Sequence, residues 1–179
     1  MLFVWFIFRI LLEWSTFPGV ILHEWAHAAF CTLTKTPIHK VCFFQMGSPM
    51  GYVEHGQPPN LAAHILVAAG PLFINTSTAF VLSTWLAFQD VTWERLTVPQ
   101  IFVGWGAISF AMHAFPSQED ARNVWNAVWR GNHSFFMQVI GIPLAGLMFL
   151  ISFSTFFFSD VAYAGLVLVV PSLIVSATY

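Results

Sequence analysis

From Leu61 to Phe88 the chain carries no Asp, Glu, Lys or Arg, and the same is true of Val98 to Phe115, Ser134 to Phe158 and Val161 to Thr178. About 20 predominantly apolar residues in a helix cross a hydrocarbon core about 30 Å thick. Lipid offers no hydrogen-bond partner to an open backbone, so runs of this length read as helices that satisfy their own amides. Charged residues make up 8% of the chain, against roughly one quarter in a soluble domain. The expected fold is therefore an all-α polytopic membrane protein with five to six transmembrane helices. The 179 residues suffice for those spans and short loops, as one domain over 1–179 with no appended soluble unit. A formal charge of −2 and the lack of any basic run argue against a nucleic-acid surface. Two cysteines, Cys31 and Cys42, make no disulfide framework. The apolar N-terminus lacks a basic leader and a small-residue cleavage signal, and is expected to be retained.

The spacing predicts helices over about 2–15, 18–34, 61–88, 98–115, 134–158 and 161–178. Arg9 and Glu13 form an i, i+4 pair in the first. Residues 2–34 as one rod would measure about 50 Å, so a break is expected near Phe17 to Gly19, with Pro18 starting the second helix. Residues 39–55 read as a short membrane-associated β-hairpin, its strands His39–Gln45 and Gly51–His55 flanking Met46-Gly-Ser-Pro-Met50. Residues 117–130 read as an amphipathic interfacial helix with Ala121, Val124, Trp125, Val128 and Trp129 on one face; its tryptophans suit a membrane–water boundary. Lys35, Lys40, Arg122 and Arg130 fall on one side of the bilayer and Arg95 on the other, which makes the first side cytoplasmic.

Within the second of these helices stands His23-Glu24-Trp-Ala-His27. Two histidines four residues apart share one helix face, so their imidazoles can bind a single metal ion. Glu24 lies about 100° around the helix from His23, where it can act on a water without occupying the metal. Ionisable groups in an apolar helix cost about 2–3 kcal/mol each at mid-bilayer, which a bound cation offsets. The alternative is hydrogen bonding to neighbouring helices that merely fixes packing. Cys31 continues the stripe about 12 Å from His23, too far to share the ion, and is expected to pack.

Catalytic zinc normally takes three protein ligands. Asp120 is the expected third, just past His113-Ala-Phe-Pro116, while Ser117-x-x-Asp120 also spells a capping box, so ligand and cap both remain open. Competing donors are Glu119, His113, His64, Glu54 and His55. Gly51-Tyr52-Val53-Glu-His55 is a candidate edge on which an extended substrate adds as a strand, or a strand that only covers the membrane face. Asn75 could hold substrate or an oxyanion by its amide, or join two helices.

Taken together, the His-Glu-x-x-His helix, the hairpin after it, a Gly70-Pro71 helix and a later helix ending in a Pro-to-Asp motif resemble the site-2 protease group of intramembrane metalloproteases. The resemblance covers residues 18 to about 125. In that family the later motif resembles Asn-x-x-Pro-x-Pro-x-Leu-Asp-Gly, and its Asp is the third zinc ligand. Here His113 stands in place of the Asn, Pro116 matches, the second Pro and the final Gly are absent, and Asp120 falls one residue early. Gly70-Pro71-Leu-Phe-Ile-Asn75 approximates the family's Gly-Pro-x-x-Asn with one extra residue. The resemblance implies an intramembrane zinc metalloprotease with one Zn²⁺ on His23, His27 and Asp120 and Glu24 as general base. Asn75, Tyr52 and Val53 would contact a membrane-protein substrate, and the site would open towards the cytoplasm. No PDZ-like or CBS-like segment is present, so regulation is expected from a membrane partner. The rival expectations are a metal-ion or proton transporter or channel, and a catalytically inactive metal-binding scaffold.

Overall fold

The computed structural model describes residues 2–89, 95–130 and 135–178. Seven α-helices and one two-stranded antiparallel sheet follow in the order α1 (Leu2–Ser15), α2 (Phe17–Leu33), β1 (Ile38–Cys42), β2 (Tyr52–His55), α3 (Leu61–Ala87), α4 (Val98–Met112), α5 (Gln118–Arg130), α6 (Phe135–Ser154) and α7 (Ser159–Thr178). The predicted order of elements holds throughout. The break between the first two helices is the single residue Thr16, whose hydroxyl folds back on the Leu12 carbonyl (2.8 Å), with Pro18 in the first turn of α2. Asn60 caps α3 by accepting from the Ala63 N–H (2.9 Å), and Thr97 with Gln100 forms a capping box on α4.

Among the helices two ends shift by three or more residues, and β1 stops at Cys42, three residues short of the expected Gln45. The fourth helix ends at Met112, three residues early, because Pro116 has no N–H with which to continue it and the chain turns there. The expected helix 134–158 stops at Ser154. A 3₁₀ turn (Thr155–Phe157) follows, and Phe158 in the left-handed region (φ 58°) separates it from α7. Residue 134 lies outside the described residues.

Leu61–Ala87, Met137–Phe157 and Ser159–Thr178 are long and apolar enough to cross a membrane; α4 is apolar but shorter. The side-chain distribution suits a lipid surround. Ala26, Ala79, Ala107 and Ala111 are fully buried, whereas Leu150, Leu166, Phe135 and Phe73 face outward. Small residues between helices let backbones approach where there is no hydrophobic drive to bury large ones. Gly70 of α3 shows the limit: a Cβ there would strike the Phe30 ring of α2.

Helix α3 is central, packing against α2, α4, α5 and α7. Helix α5 differs from a purely interfacial helix. Its inner face, Ala121, Val124 and Val128, is fully buried against Leu61 and Ala68 of α3 and Ala145 and Met148 of α6. Trp125 and Trp129, on the edge of the same apolar stripe, remain exposed. This packing holds the start of α5 against α3, and with it Asp120.

A second polar cluster ties α1 to α7. The Arg9 guanidinium reaches Asp160 (2.7 Å) and Glu13 (2.8 Å); Asp160 is buried, whereas the Glu13 side chain is 36% exposed. Removing one partner of a buried pair costs about 3–5 kcal/mol, and of an exposed pair at most about 1 kcal/mol. Asp160→Ala should therefore lower the melting temperature in detergent clearly more than Glu13→Ala, measured side by side.

Candidate metal centre

One turn of α2 places His23 and His27 on a common face, and two backbone carbonyls fix their rings. His23 Nδ1 donates to the His113 carbonyl at the end of α4 (2.7 Å), and His27 Nδ1 donates to the Val67 carbonyl of α3 (2.9 Å). A carbonyl only accepts, so both Nδ1 atoms carry a proton, and in the neutral rings both Nε2 atoms present a lone pair. The two Nε2 atoms approach to 3.1 Å.

Asp120 closes the group from α5. Its Oδ1 lies 3.4 Å from His27 Nε2, while Oδ2 accepts from the Ser117 N–H (2.8 Å) and the Ser117 hydroxyl (2.6 Å). The Asp120 N–H in turn donates to Ser117 Oγ (3.1 Å), so the capping box is formed. The carboxylate thus divides its work, one oxygen capping the helix and the other facing the histidines.

The donor set fits a metal. His23, His27 and Asp120 each offer one ligand atom, all within 4.8 Å of one another. Tetrahedral coordination at about 2.0–2.1 Å requires ligand atoms about 3.3 Å apart; two of the three pairs stand at 3.1 and 3.4 Å, and the third lies within 4.8 Å.

Glu24, 8% exposed, turns to the same cavity, about 480 Å³ in volume and lined also by Arg9 and Asp160. Gly51 at the start of β2 packs directly on it: a Cβ there would sit 2.6 Å from Glu24 Cγ. Tyr52 and Val53 line the cavity too. Among the described residues β2 pairs with β1 on one edge only, in the register Val41↔Val53 and Cys42↔Tyr52. A second, polar cavity of about 870 Å³ adjoins the first, sharing Val53, His55 and Asn123.

The remaining candidates are dispersed. Asn75 is fully buried outside the cavity lining, and its Nδ2 donates to the carbonyls of Gly19 (3.2 Å) and His113 (3.0 Å). That is the helix-joining arrangement. Its Oδ1 has no partner among the described residues, at a cost of about 1–3 kcal/mol. His113 contributes its carbonyl, while its ring Nδ1 donates to the Ser109 carbonyl (3.0 Å). Glu119, exposed, pairs with Arg122; Glu54 and His64 line the second cavity, and His55 lies on both. Cys31 is buried away from the donor group. The residues that sequence patterns missed are Val67 and His113 as carbonyl donees of the histidines, because a backbone acceptor leaves no mark in residue type.

Ser117→Ala removes the cap and frees Asp120 to rotate. It should cost about 1 kcal/mol of stability and weaken metal affinity by 10-fold or more, read by thermal melting and Co²⁺ titration. No family model matches the chain, and no similar protein is found among curated proteins or solved structures.

Proposed function

We propose that the chain is an intramembrane zinc metalloprotease that cleaves a peptide bond in or near a transmembrane segment of a membrane-protein substrate. The observation that carries this reading is the placement of Glu24 beside, and not within, the donor group of His23, His27 and Asp120, in one cavity. Zinc held by these three would polarise the scissile carbonyl and bring the pKa of a water at the remaining position towards neutrality. Glu24 takes a proton from the attacking water on its carboxylate and returns it to the leaving amine. Burial against Gly51 keeps that carboxylate poorly solvated, which favours a proton-carrying role.

Peptide carbonyls in a substrate helix are tied up in i to i−4 bonds, so the cleaved segment must be held extended. The free edge of β2, with Tyr52 and Val53 on the cavity wall, supports strand addition as the way of holding it. The adjoining polar cavity supports a water route from the side bearing Lys35, Lys40 and Arg122, read as cytoplasmic. In this reading α1, α2 and α4 join the three long helices within the bilayer, and regulation falls to a membrane partner.

Metal analysis of purified protein together with cleavage of a co-expressed membrane substrate tests this. Glu24→Gln should keep zinc and lose at least about 100-fold in cleavage, while His27→Ala and Asp120→Ala lose zinc. Gly51→Ala, which crowds Glu24 most closely and also the Phe43 carbonyl and Val20, should keep zinc and cleave more slowly. Zinc flux in proteoliposomes that survives Glu24→Gln would instead favour a transporter.

A further inference from the structure

The two carbonyls that orient the histidines have something in common: in each case the chain denies them their usual partner. In an α-helix the carbonyl of residue 67 receives the N–H of residue 71, but residue 71 is Pro71, inside α3, with no N–H to give. Its ring also crowds the carbonyl four residues back and tilts it off the helix axis. The Val67 carbonyl so released is the one that accepts from His27 Nδ1. One turn further along α3, Asn75 Nδ2 donates to the His113 carbonyl, the acceptor of His23 Nδ1. That carbonyl is released as well, because Pro116 has no N–H and the Ser117 N–H is drawn to Asp120 Oδ2.

We propose that Pro71 and Asn75 are positioning residues for the metal centre: Pro71 frees the carbonyl that fixes the ring of His27, and Asn75 holds the carbonyl that fixes the ring of His23. A single helix, α3, thereby sets the tautomer of both ligands and aims both Nε2 lone pairs at one point. Partners of this kind set ligand orientation and basicity, and their loss typically costs 10–100-fold in metal affinity. Asn75 is fully buried and ties α3 to α2 through the Gly19 carbonyl, while its second bond falls on the carbonyl that accepts from His23. Gly70 complements the pair by admitting the Phe30 ring, which brings α2 and α3 together at this level.

The inference rests on the metal reading of this site, and Pro71→Ala separates it from a structural role. Alanine in a helix interior is far more favourable than proline, so a merely structural account predicts unchanged or higher thermal stability and unchanged metal binding. The positioning account predicts unchanged or higher stability of the metal-free protein together with Co²⁺ affinity weakened about 10–100-fold. Asn75→Leu, which keeps the volume and loses the donor, should weaken Co²⁺ to a similar degree and alter its ligand-field spectrum. Histidine ring ¹⁵N resonances of metal-free protein give a readout independent of the ion. Wild type should show both Nδ1–H tautomers, Pro71→Ala a tautomer mixture at His27, and Asn75→Leu a mixture at His23. Co²⁺ affinity of Pro71→Ala within about twofold of wild type, with unchanged ring tautomers, would overturn the proposal. Wild-type protein that binds no Co²⁺ but shows these tautomer changes would sink the metal reading and leave the positioning roles standing.

Discussion

Two imidazole lone pairs and a carboxylate oxygen converge within a few ångströms inside a bundle of apolar helices, and much of the molecule is arranged to keep them there. With both rings neutral such atoms repel one another. A cation between them would turn the repulsion into three bonds. The surrounding structure holds the donors from outside: the Val67 carbonyl of α3 orients the His27 ring, the His113 carbonyl at the end of α4 orients the His23 ring, and Ser117 orients Asp120. The packing of α5 on α3 and α6 matters for the same reason, since it fixes where that first turn lies.

Glu24 shares the cavity but not the donor group. His23 and His27 are held by neighbouring helices, whereas Glu24 packs against Gly51, at the junction of the hairpin with α2. The same hairpin presents Tyr52 and Val53 to the cavity. A substrate segment added along β2 would therefore lie beside the carboxylate, which links the chemical step to the holding of an extended chain.

Much of the fold was legible because hydropathy in a membrane chain is close to binary. The uncharged runs beginning at Leu61, Val98 and Val161 became helices, and Pro18, Met46 to Met50 and Pro116 marked turns. What was not legible depended on partners. The inner face of α5 reads as amphipathic whether it meets lipid or α3 and α6, and only packing decides. The left-handed Phe158 that divides α6 from α7 has no glycine to announce it. His23, Glu24 and His27 were visible as a spacing, and Asp120 only as a choice between ligand and cap; the geometry lets one carboxylate do both. Asn75 attracts attention as a buried amide, but its use emerges only when the His113 carbonyl is seen between it and His23. Pro71 reads as a helix interruption, and its consequence falls four residues earlier, at a carbonyl.

The central claim is that His23, His27 and Asp120 bind one zinc ion. X-ray absorption at the zinc edge of protein purified without added metal tests it most directly. The account predicts one zinc per chain in a four-coordinate nitrogen and oxygen shell at about 2.0–2.1 Å with outer-shell scattering from two imidazoles, absent in His27→Ala. A sulfur shell at about 2.3 Å, which would implicate Cys31 or Cys42, or zinc retained in His27→Ala, would contradict it.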